Sequence, residues 1–220
     1  PEAGLAGVLL EHDQVEEALG LAREAARKAQ GREAADLVPW THAFLARVLL
    51  AKGDMAAATE TLRQARAKEA ANPIVAAMVD TGEVHLWLAE GDLTAAERWA
   101  TGWQAGPAGS ATGRLDEATE RRLVAVARVL LARAAAARGD EIRAHALDEA
   151  EILLGRLQRS AEESGRTETL LEVMVIQAMA RWHRAATRRS ESARSGDLSM
   201  ALSSLERCLA LAGPEGYTRL

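Results

Sequence analysis

Aromatic side chains make up only 3% of this 220-residue chain, and there are 5 prolines. Strands and sheet cores draw on aromatic and β-branched residues, so the shortage points to helices packed through Ala and aliphatic side chains. Cysteine is down to Cys208 alone, which permits no internal disulfide and fits a reducing cytoplasm. No apolar run reaches membrane-spanning length and Pro1-Glu2 does not open a signal peptide, so the expectation is a cytoplasmic protein with no membrane partner. An excess of basic charge is missing as well: a net charge of −5 disfavours DNA binding, which rests heavily on Lys and Arg.

Catalytic and metal signatures are equally thin. His12, His42, His85, His145 and His183 are scattered without ligand spacing, and Cys208 has no local partner. There is no Gly-x-Ser-x-Gly elbow and no His-Glu-x-x-His. The glycines of Gly106–Gly113 invite comparison with a phosphate loop, but Arg114-Leu115 follow where that motif demands Lys and then Ser or Thr. The chain is expected to hold no cofactor, bind no metal and perform no chemistry of its own.

What the chain does contain is one unit, repeated. In Val84–Arg98 an apolar run with helical spacing stops at Gly91, and Asp92 stands ready to cap a second helix starting at Leu93. Ala96, three residues after Leu93, shares its face and lets two helices approach closely. The same apolar-x-x-Ala pair reads Val15/Ala18, Met55/Ala58, Leu93/Ala96, Leu147/Ala150 and Leu198/Ala201. Its first spacings, 55−15 and 93−55, are 40 and 38; the later ones are longer. A period near 40 predicts stacked helical hairpins, because each pair needs a neighbour to bury its second face.

The expected fold is all-α: a right-handed α-solenoid of about five hairpins in a single repeat domain, at roughly 1–31, 37–72, 74–105, 115–165 and 168–213. The first arm before His12-Asp13 is short and there is no initiator Met, which reads as a piece of something longer. Gly31 ends the first hairpin, Gly53-Asp54 turns the second and Gly106–Gly113 is a flexible connection. Between Ala134 and Leu147 an insertion either lengthens a helix or forms a surface loop. Thr187–Ser195, rich in Arg and Ser, reads as a solvated loop, with Gly196-Asp197 starting a last helix that stops at Gly213-Pro214.

Several stretches together resemble the helical repeat domain of MalT-like transcriptional activators, the large ATP-dependent branch of the LuxR regulators. They are Leu45–Asp54, Leu86–Leu93, Val126–Ala132, Gly165–Thr167 and, most specific, Leu209–Leu220 with its Gly-Tyr-Thr-Arg close. The resemblance spans nearly the whole chain. It implies an inducer-sensing array lying between an N-terminal nucleotide-binding domain and a C-terminal DNA-binding domain. ATP and DNA would then be bound only by those absent parts. The chain departs from the family in its later insertions and in His12-Asp13, where the family often has Trp-Asn.

These hairpins also resemble tetratricopeptide repeats, in which one face of the first arms lines a concave groove. Counting back from each turn, positions −13, −10, −6 and −3 share a helical face. They select Trp40 and Arg47 in the second hairpin, Met78, Thr81 and His85 in the third, and Arg121 and Arg128 in the fourth with Ala134 taken as the turn; alignment of the fifth adds Trp182. Guanidinium groups bind hydroxyls and carboxylates and indoles stack on sugars or peptides, so the expected partner is a small-molecule inducer. A plainer account pairs Arg47 and Arg128 with nearby carboxylates and leaves His85 solvated. Trp87, Trp99 and Trp103 occupy packing positions. The alternative function is a scaffold that binds a protein or peptide in the same groove, with self-association through the array ends a further possibility.

Overall fold

Glycine and aspartate set the turns as the sequence anticipates. In the computed structural model, which describes residues 2–30, 37–67, 72–104, 115–188 and 190–215, Gly53 and Gly91 adopt φ of 83° and 78°. These left-handed values end a helix without a Cβ clash. The next residue caps the following helix: Asp54 Oδ1 accepts the Ala57 amide at 3.2 Å and Asp92 Oδ1 that of Ala95 at 3.0 Å. At the first turn Asp13 takes the left-handed position itself, at φ 59°.

The described residues form ten α-helices and no strand: α1 (Glu2–Glu11), α2 (Val15–Ala29), α3 (Val38–Lys52), α4 (Met55–Ala67), α5 (Pro73–Glu90), α6 (Leu93–Gln104), α7 (Glu117–Ala136), α8 (Asp140–Ser164), α9 (Thr167–Thr187) and α10 (Glu191–Glu215). The protein is all-α, with helices packed in sequence. Two compact units are present, divided between Glu90 and Gly91. In the first, each helix from α1 to α5 packs on the next, and the first arms also meet, α1 with α3 and α3 with α5. In the second, α6 to α10 pack successively and α7 meets α9.

Small residues make this stacking possible. Ala18, Ala58, Ala96, Ala150 and Ala201, one from each apolar-x-x-Ala pair, are all buried. One core joins Ala6 and Leu10 of α1, Ala18, Leu19 and Ala22 of α2, and Val48 and Leu49 of α3. A second joins Ala43 and Ala46 of α3 with Leu62 and Ala65 of α4 and Val79 of α5. Each buried Leu or Val in these cores contributes about 1.5–3 kcal/mol, and each Ala methyl less, about 0.8 kcal/mol per buried carbon.

Two sequence expectations need correction. Ala134 is not a turn: it is fully buried inside α7, and the chain turns at Ala137–Gly139. Arg143 Nε and Nη2 donate to the carbonyls of Ala134 and Ala137, closing the end of α7, so the insertion before Leu147 is helical. Nor is Thr187–Ser195 a loop with a new helix at Gly196. α10 begins at Glu191 and runs through Gly196, while Asp197 pairs with Arg188 Nε at 3.1 Å instead of capping. That bridge ties the first turns of α10 to the end of α9, and the helix runs through Gly196 although a mid-helix glycine costs about 1 kcal/mol. Gly31, the Gly106–Gly113 connection and Gly216–Leu220 lie outside the described residues.

Candidate ligand-binding face

In the first unit, α3 carries Trp40 and Arg47 and α5 carries Met78, Thr81 and His85, all half-buried, on two first arms that pack together. Trp40 is braced by Phe44, one helical turn on, with ring centroids 5.3 Å apart. Phe44 in turn lies over Gly7 of α1, where an added Cβ would stand 2.9 Å from the ring. Arg47 reaches across to Glu11 of α1, Nη2 to Oε1 3.6 Å. Met78 packs against the second core, and the Thr81 hydroxyl donates to the Met78 carbonyl at 3.1 Å.

The second unit holds Arg121 and Arg128 on α7 and Trp182 on α9. Arg128 donates Nη2 at 2.7 Å and Nε at 3.2 Å to a single oxygen of Glu172 on α9. Arg121 pairs with Glu117 one turn back and stands 3.6 Å from Glu168 of α9. Both arginines therefore tie one first arm to the next, as Arg47 does in the first unit. Trp182 is exposed and lies ten residues beyond Glu172, about 15 Å further along a helix rising 1.5 Å per residue. It is not brought to the two arginines. Val124 and Leu131, placed on the same face by counting from Ala134, are buried.

Charge elsewhere is organised for structure. Arg66 of α4 grips Asp80 and Glu83 of α5, each at 2.7 Å. Burial works against its charge, but the hydrogen bonds to Glu83 and Asp80 prevail and hold its pKa above the usual value. Trp103 is half-buried under the Arg122 guanidinium, 4.6 Å from its ring centre, and lies 6.3 Å from Trp99. Trp87 is likewise half-buried, so these three indoles pack without being sealed in the core. Among the described residues no group of three or more His, Cys, Asp or Glu is placed to hold a metal ion, and no helix is long and apolar enough to cross a membrane.

Comparison with family models adds the deciding observation, because the model of the MalT-like TPR region matches residues 1–220. The chain belongs to that family. No curated protein and no solved structure matches it. As a MalT-like TPR region it is a helical repeat array, the architecture to which the turns, the Ala pairs and the sequential packing already lead.

Sequence reasoning picked the arginines of the first-arm face but missed their partners Glu11, Glu168 and Glu172. Glu168 and Glu172 carry a readable signal, since their i,i+4 spacing puts both on one face of α9. Phe44 was overlooked beneath Trp40 because its bracing depends on Gly7, 37 positions earlier (44−7).

Proposed function

We propose that this chain is the inducer-sensing part of a MalT-like transcriptional activator, a single repeat domain working in the cytoplasm and taking a small polar ligand on its first-arm face. The observation that carries this reading is the grouping on α3: an indole braced on Phe44, two helical turns before the Arg47–Glu11 pair, on an arm packed against the helix that carries His85. A flat apolar surface beside a charged pair suits a ligand with one apolar face and several hydroxyl or carboxylate groups. ATP and DNA would be bound by the other domains of such an activator. The isolated chain is therefore expected neither to hydrolyse ATP nor to bind duplex DNA specifically.

Calorimetry with free sugars, amino acids and nucleosides tests the reading. A binder whose affinity falls about 5- to 150-fold on Trp40→Ala or Arg47→Ala, as expected for about 1–3 kcal/mol, supports the face, provided helix content is unchanged. A binder indifferent to both substitutions places the site elsewhere. A second reading, a scaffold for a protein partner, is favoured by one observation: Arg128 already engages Glu172, while Met179 and Trp182 of α9 stand exposed. Recovery of a specific protein that is lost on Trp182→Ala, with no small-molecule binding, would favour it.

A further inference from the structure

On the first-arm face of the second unit, α7 and α9 meet through Arg121 with Glu168 and Arg128 with Glu172. The two helices run the same way, since the pairs ascend together along both. Water reaches these bridges and screens them, and apolar packing between the helices is non-directional. Neither fixes which turn of α9 lies against which turn of α7. A slip of α9 by a single residue would shift its side chains by about 1.5 Å and rotate them by about 100°, carrying both glutamates off the face.

A third pair between the same helices is of a different kind. Glu120 is fully buried and accepts hydrogen bonds from Arg166 Nε and Nη2 and from the Ser160 hydroxyl. Arg166 is fixed through its backbone as well: Gly165 ends α8 at φ 65°, and the Arg166 amide donates to the Ala161 carbonyl at 3.0 Å. The next residue, Thr167, opens α9. Spacing from this anchor to the face matches on the two sides. Arg121 stands one residue past Glu120 and Glu168 two past Arg166, while Arg128 stands eight past Glu120 and Glu172 six past Arg166. The outer bridge therefore lies about 12 Å along α7 and about 9 Å along α9, a difference that an arginine side chain spans.

We infer that Glu120 and Arg166 are positioning residues: their buried pair sets the register of α9 on α7 and so brings Glu168 and Glu172 to Arg121 and Arg128. Desolvation offsets much of the attraction in a buried ion pair, so apolar residues of similar size hold helices together about as well. What they do not supply is a single arrangement. A slipped α9 would leave the enclosed Glu120 carboxylate without its partner, whereas apolar side chains at positions 120 and 166 tolerate neighbouring registers. The importance of this lock for ligand binding rests on the reading of the first arms as the sensing face; the register itself does not.

Nuclear magnetic resonance of the arginine Nε–H groups tests the lock on the full chain with no ligand present, so its outcome is separable from that of the sensing reading. Arg128 Nε donates to Glu172, and in the wild-type protein Glu172→Gln should move the Arg128 signal. In the Glu120→Leu/Arg166→Met protein, with circular dichroism unchanged, the Arg128 signal should already lie near that displaced position, and adding Glu172→Gln should move it less than half as far. Arg47, in the first unit, is the control and its signal should stay in place. A folded Glu120→Leu/Arg166→Met protein in which Arg128 responds to Glu172→Gln as fully as in the wild type overturns the proposal. Should that double variant lose helix content, Ser160→Ala, which takes only one hydrogen bond from Glu120, carries the test: a reduced Arg128 response supports the lock and an undiminished one overturns it.

Discussion

Arg166 grips the buried carboxylate of Glu120 with two nitrogens, Nε at 2.6 Å and Nη2 at 2.7 Å, and Nη2 also donates to the Leu115 carbonyl at 2.8 Å. Ser160 completes the arrangement, donating to Glu120 at 2.6 Å while its oxygen accepts the Leu115 amide at 3.0 Å. The start of α7, the end of α8 and the entry to α9 are thereby joined at one fully enclosed carboxylate. The hydrogen bonds that Arg166 donates to Glu120 hold the Arg166 pKa above its usual value.

Removing one partner leaves the other charge without compensation. Arg166→Ala should destabilise the protein by about 3 kcal/mol, the low end for a buried pair because the arginine keeps some solvent contact. Urea denaturation followed by circular dichroism measures it. Glu120→Leu combined with Arg166→Met should be milder than Arg166→Ala alone, and a double variant that is worse would contradict the argument.

The Arg128–Glu172 bridge should behave in the opposite way. Both side chains are about one-third exposed, at 31% each, so solvent screens the pair. A double-mutant cycle with Arg128→Ala and Glu172→Ala should return a coupling of about 0.2–1 kcal/mol, and 0.5 M salt should reduce it. A coupling above about 2 kcal/mol would mark the bridge as a structural clamp comparable to Glu120.

Two helical glycines should respond with opposite signs. Gly20 in α2 is exposed and has open space around its missing Cβ, so Gly20→Ala should stabilise by about 0.5–1 kcal/mol through helix propensity. Gly7→Ala brings the same gain but pushes on the Phe44 ring, which itself packs at a tilt against Trp40. It should cost about 1–3 kcal/mol of overpacking and come out net destabilising. Thermal melts of the two variants side by side decide the matter.

Acid should loosen the start of α7. Asp116 is its cap, accepting the Thr119 amide at 2.9 Å and the Thr119 hydroxyl at 2.7 Å. Burial favours the neutral acid, but these bonds outweigh it and hold the pKa below the ordinary aspartate value. A carboxyl depressed by folding stabilises at pH values above its unfolded pKa of about 3.9, and that contribution fades as pH falls through the lower folded value. Asp116→Asn keeps an acceptor and should flatten this acid-side loss in melts between pH 7 and pH 2, whereas Asp116→Ala should cost about 1 kcal/mol at neutral pH.

The fold was legible in the sequence because its signals are local. Gly53-Asp54 and Gly91-Asp92 write turn and cap in adjacent letters, and Ala18, Ala58 and Ala96 mark close approach within one helix. The beginning of α10 was not legible, because Gly196-Asp197 carries the same two letters; Arg188, nine positions earlier, decides that Asp197 bridges instead of capping. The turn after α7 was misplaced for a similar reason, since Arg143 satisfies the carbonyls that a glycine satisfies elsewhere. On the first-arm face the charged residues could be picked by spacing, but their pairing depends on how consecutive first arms sit against each other, which a repeat period alone does not specify.

Every helix packing described here joins elements one or two places apart in the chain. Such short-range connectivity needs little loop closure before contacts form, which favours rapid folding that can start at more than one hairpin. It also makes the array forgiving to evolution. A hairpin gained, lost or lengthened, as between α7 and α8, disturbs only its immediate neighbours and leaves more distant junctions as they were.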